Sequence, residues 1–158
     1  MSGMSFRLVM SAALILCAGG AASPNLSNVA NVAIMSGKCT ALIMPEGDRT
    51  AHCSGKLINT AYRDNSSSFM AVTDDTVAVS FFGTDHPATG DSALLDVSKV
   101  TVSREAGRQA RSTAALGQCR YTNPFAGPSH VDCQAMAKGK VYRLSYLSDG
   151  NPPNVKYF

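Results

Sequence analysis

Three histidines and five cysteines are the side chains here best equipped for metal or nucleophilic chemistry. His52 stands one residue before Cys53, and His130 three residues before Cys133. Offsets of one and three share parity, so on strands the two imidazoles would face the same way. With Asp132 they would begin a copper or zinc site. Such sites need three or four converging ligands, and only these can be named. Surface histidines are the plainer expectation, and no metal or cofactor is called for.

"GTDHPATGD" (83–91) is the most polar stretch and groups Asp85, His86 and Asp91. It reads as an exposed candidate loop for a cation or for catalysis. It lacks the patterned oxygen ligands of a calcium loop. Asp, Pro and Gly also make ordinary turns without any ligand. Asp74 and Asp75 are adjacent in a turn, where Asp is common anyway. None of the signatures G-x-S-x-G, H-E-x-x-H or S-x-x-K occurs, so no hydrolase chemistry is written in the sequence. A non-enzymatic protein is the expectation.

Positive charge is concentrated in Lys99, Arg104, Arg108, Arg111 and Arg120, opposed within that span only by Glu105. On one face of a hairpin these residues would meet an anionic surface or an acidic envelope protein. They would equally serve to guard an edge strand against aggregation.

The cysteines define the elements that must carry these groups. "GKCTALIMPEGDRTAHC" (37–53) and "GQCRYTNPFAGPSHVDC" (117–133) share the pattern Gly, any residue, Cys, thirteen residues, Cys. The matched spacing predicts the disulfides Cys39–Cys53 and Cys119–Cys133. Zinc fingers and redox motifs want C-x-x-C, which is absent. Between each pair lie turn residues, "PEGD" and "NPFAGP", flanked by extended-looking runs, as in a hairpin. Downstream, "SFMAVTDDTVAVSFFG" (68–83) resembles "RLSYLSDGNPPNVKYF" (143–158), each two alternating strands about an acidic turn. The chain thus reads as all-β: a small antiparallel barrel or sandwich of two similar four-strand halves, each with a disulfide-closed hairpin. The halves span about 33–83 and 113–158, joined by a connector at 84–112. Within the connector "ALLDVSKVTVSRE" is a strand. "EAGR" reads better as a hairpin turn than as the middle of a helix, because Gly107 interrupts the helix formers around it.

Residues 1–22 read as a secretory signal peptide: Arg7, an apolar stretch from Leu8 to Cys17, then small residues with cleavage after Ala22. Leu16 before Cys17 argues against a lipid anchor, which wants a small residue there. The remaining single domain, 23–158, carries thirteen basic against eleven acidic residues, a net charge of +2. That is too weak to imply a nucleic-acid partner. After signal removal no apolar run is long enough to span a membrane. An even count of four cysteines then implies an oxidising compartment, secreted or periplasmic. "NLS" (25–27) and "NSS" (65–67) match the glycosylation sequon.

Three functions fit this frame. A binding or inhibitor-type, envelope-associated protein would use loops on a rigid β scaffold. A small enzyme would bring two or three of His52, His86, His130 and Asp91 into one pocket. A structural envelope component would show neither site.

Overall fold

The computed structural model describes residues 26–104 and 110–158. The signal-peptide segment, Arg108 and the "EAGR" turn lie outside them.

Alternation of apolar and polar residues fixes the inward face of each strand. It is cleanest in β8 (His130–Ala137), where Val131, Cys133, Ala135 and Ala137 are buried and the residues between them exposed. The other long strands are β1 (Val29–Met44), β3 (Cys53–Tyr62), β4 (Ser66–Thr73), β5 (Val77–Thr89), β6 (Ser92–Arg104), β7 (Arg111–Thr122) and β9 (Lys140–Ser148). Each pairs antiparallel with the next, and β9 returns to β1 through Gly37↔Ser148 to Ile43↔Arg143. The result is a closed eight-stranded antiparallel barrel. Closure leaves the long strands without an open edge.

Two short strands are added. β2 (Gly47–Asp48) folds back on the end of β1, and β10 (Asn154–Tyr157) pairs with Asn31–Ile34 of β1, beyond the reach of β9. The fourth strand of the second half therefore crosses to β1 instead of lying beside β9. The connector forms β6 and continues into β7 as an antiparallel pair, as the hairpin reading required.

Both predicted disulfides are present, with Cα separations of 6.0 Å for Cys39–Cys53 and 3.9 Å for Cys119–Cys133. The second joins residues directly opposite in the β7–β8 register, while the first ties β1 to the start of β3. Two cystines suit an oxidising environment outside the reducing cytosol. No helix among the described residues is long and apolar enough to cross a membrane.

The core runs through the middle of the barrel: Leu42, Leu57, Val79, Phe81, Leu95, Val100, Val131 and Leu144 are almost fully buried, with Cys119 and Cys133 among them. Each large aliphatic or aromatic side chain so buried contributes about 1.5–3 kcal/mol. The packing thins at one end. There β1 begins, β3, β5, β7 and β9 end, and Asn31 and Asn59 replace apolar residues at inward positions. This end is called the upper end below.

Candidate functional site

The residues singled out in the sequence do not gather. His52 closes a short 3-10 turn (Thr50–His52) at the lower end, where its Nδ1 lies 3.1 Å from Asp74 Oδ1. His130 opens β8 at the upper end, and its backbone N–H donates to Thr122 Oγ1 at 3.0 Å. His52 lies in the 3-10 turn before β3 and not on a strand, so strand parity does not govern it, and the two hairpins run in opposite directions along the barrel. His52 and His130 are therefore at opposite ends and make no site with Asp132. No group of three or more His, Cys, Asp or Glu residues able to hold a metal occurs among the described residues.

Most of the stretch 83–91 is strand and not loop, with only Gly90 and Asp91 in a turn. β5 continues to Thr89, paired with β6 through Thr84↔Asp96, Asp85↔Leu95 and His86↔Leu94. Alternation then sends the three residues apart. Asp85 accepts the hydroxyl of Tyr121 at 2.8 Å. Burial first, and then Asp85, push the Tyr121 phenol above its ordinary pKa. His86 is exposed, with Nε2 at 2.6 Å from Asp96 Oδ2, while Gln118 Nε2 donates to Asp96 Oδ1 at 3.0 Å. Gln118 and then His86 hold the Asp96 carboxyl below its usual value. Asp91 sits in the tight turn to β6.

The basic residues are likewise dispersed. Lys99 stacks over the Phe82 ring at 4.3 Å, and Arg120 stands opposite Asp132 in register. Arg104 pairs with Glu46 and, with Arg111, edges a separate depression of about 590 Å³ near the lower end. Lys99 and Arg120 belong to the wall, Arg104 and Arg111 to the end, so these four do not form a single basic face.

What the fold does assemble is a cavity of about 780 Å³ at the upper end, within the range of small-molecule sites. Its floor is Ala33 and Met35 of β1, Phe69 of β4 and Val131 of β8, all buried. Phe69 and Tyr121 meet edge to face inside it, with centroids 4.9 Å apart. Asn31 and Asn59, on neighbouring strands, supply amides to its wall. Phe125 and Tyr157 stand at the mouth with 60% and 74% of their surface exposed.

The mouth is tied in place by local bonds. In the β7–β8 loop, Asn123 Oδ1 accepts the Phe125 N–H at 2.9 Å. The buried Ser129 donates its hydroxyl to Thr122 O at 2.8 Å and its N–H to Ser148 Oγ at 2.7 Å. On the other side Arg63 donates to Phe158 O at 2.6 Å, and Phe158 N–H donates to Ala30 O of β1 at 3.1 Å.

Of the residues named for a catalytic pocket, His130 and Asp91 do reach the rim. No hydrogen bond links their side chains to each other or to a hydroxyl, so no assembled nucleophile and base is present there among the described residues. The cavity itself was missed in the sequence. Its one visible trace was Asn31 and Asn59, polar residues in phase with the inward Ala33, Met35 and Leu57.

The chain matches no known protein-family pattern, no curated protein and no solved structure.

Proposed function

We propose that this is a secreted or periplasmic, disulfide-stabilised binding protein that receives a small, largely apolar molecule in the upper end of its barrel. The observation that carries the reading is the cavity, with its apolar floor, polar rim and exposed aromatic mouth. Such a combination is the usual form of a small-molecule site. Exposed Phe125 and Tyr157 are apolar surface that a bound molecule would cover. The signal-like segment 1–22 and the two cystines support export. Lys99, Arg104, Arg111 and Arg120 stand on different parts of the barrel, and this favours the cavity over the basic connector as the binding site.

Titration with the neutral dye N-phenyl-1-naphthylamine tests this, because its emission rises on entering an apolar site. The protein should give a saturable, single-site signal. Ala93→Trp, which places an indole in the cavity wall, should weaken it at least tenfold. Leu116→Ser on the outer wall should leave it unchanged. Absence of a saturable signal, or equal binding by a folded A93W protein, would refute the proposal.

A further inference from the structure

The cavity's lining is as informative for the groups it lacks as for those it contains. Among the described residues no lysine or arginine lines it, and its one imidazole, His130, stands at the rim. Its one carboxylate, Asp91, is at the rim, and a second, Asp85, lies behind Tyr121 with one oxygen bonded to the phenol. A carboxylate or phosphate drawn out of water into the floor of this space would meet no lysine or arginine among the described residues, with only the His130 imidazole at the rim and Arg63 bonded outside to Phe158 O, and would face two like charges. A neutral or positively charged molecule meets no such penalty.

The amides add a directional requirement. Asn59 Nδ2 donates to Ser68 O at 3.1 Å. A backbone carbonyl only accepts, so this bond fixes which end of the amide is nitrogen. Asn59 Oδ1 is thereby left as an acceptor without a partner among the described residues. The Asn31 side chain makes no hydrogen bond among them, and offers both a donor and an acceptor.

Asn59 lies opposite Ala33, two residues from Asn31 along β1. On adjacent strands of an antiparallel sheet such diagonal neighbours come within about 7–8 Å. The two amides are therefore spaced to hold one polar group between them. Below them Met35, Phe69 and Val131 accept only apolar bulk. Phe69 and Tyr121 are already arranged to add a ring contact.

Building on the reading of the cavity as a ligand site, we propose that it selects a neutral or cationic amphiphile with a ring body and a hydrogen-bond donor, and discriminates against anions. The donor, a hydroxyl, amide N–H or ammonium, is received by Asn59 Oδ1 and Asn31. The ring occupies the floor beside Phe69 and Tyr121. Asn31 and Asn59 are specificity-determining residues, and Phe125 and Tyr157 cover the bound molecule.

A matched series separates this from simple apolar capture. Displacement of the neutral dye is measured with 2-methylnaphthalene, 2-naphthalenemethanol, 2-naphthylmethylamine and 2-naphthoate. The alcohol and amine should displace it about fivefold or more better than the hydrocarbon, the advantage of one or two added hydrogen bonds. The carboxylate should be at least tenfold weaker than the alcohol.

Asn31→Leu breaks no bond within the described residues. It should remove most of the alcohol's advantage over 2-methylnaphthalene while leaving the hydrocarbon's own binding in place. Asn59→Leu should do the same in protein shown by its circular dichroism to be folded. Equal displacement by all four compounds, preference for the carboxylate, or an alcohol preference that survives both substitutions would overturn the inference while leaving the cavity a ligand site. If the dye itself shows no saturable binding, the reading of the cavity fails and this inference falls with it.

Discussion

Tyr146 shows how one side chain can couple distant parts of this chain. It points inward from β9, is almost fully buried, and its hydroxyl lies 3.1 Å from both Met35 O and Gly55 O. One phenol hydrogen is thus shared between carbonyls of β1 and β3, reached from a third strand, and replacing Tyr146 by Phe removes that donor. Tyr146→Phe should lower stability by about 1 kcal/mol, read from denaturant unfolding. Burial, reinforced by Asp149, pushes the phenol up to about 12 from an ordinary value near 10. The neutral form is the one the fold accepts. Its contribution is therefore complete below pH 10 and is lost as pH rises from 10 to 12. The free energy of unfolding measured across that window should fall less steeply for Y146F than for the parent. The buried phenol is visible in "YRLSYLS" as an inward-phase tyrosine, but its acceptors, 91 and 111 residues away along the chain, are not.

At the scale of the element, strand and turn were distinguishable where alternation was regular and were confused where turn residues were placed inside a strand. β8 and the "SFMAVTDDTVAVSFFG" pair were legible because period two is uninterrupted and the turn between the two runs is acidic. The end of β5 does not read as a strand, because Asp85, Pro87 and Gly90 resemble loop chemistry. The structure accommodates them differently. The β5–β6 ladder is irregular between His86 and Thr89, which absorbs Pro87 and its missing N–H without ending the strand.

A second irregularity, between Phe82 and Gly83, falls at a glycine with no room for a side chain. A Cβ on Gly83 would run into the Asp96 carbonyl of β6, so the two strands approach more closely than any other residue permits. Gly83→Ala should therefore destabilise by about 1–3 kcal/mol, the usual cost of overpacking. A thermal or urea midpoint unchanged from the parent would contradict that account. Gly117 is confined in the same way by Gln134 and Ala135 of β8.

For the molecule as a whole, the two cystines and the β1–β9 seam hold the barrel together in different ways. Each disulfide joins cysteines 14 residues apart, a loop whose closure limits the unfolded chain by about 3 kcal/mol in the entropy model. Cys119 and Cys133 are both nearly inaccessible, whereas Cys53 is only half-buried. Replacing the pair 119/133 by Ala should therefore cost more than replacing 39/53, because a packing loss is added to the entropic one. Equal losses in denaturant unfolding would count against this ordering. Non-reducing peptide mapping should recover the pairs Cys39–Cys53 and Cys119–Cys133.

The sequence determined that the chain is all-β, which cysteines pair, and which face of most strands turns inward, since spacing and period-two alternation are local properties. Only the tertiary structure decided that the sheet closes with β9 against β1, that His52 and His130 are separated by the barrel's length, and that a cavity opens beside Asn31 and Asn59. Closure depends on twist, stagger and strand number acting together. Those properties belong to the whole sheet, and no short run of residues encodes them.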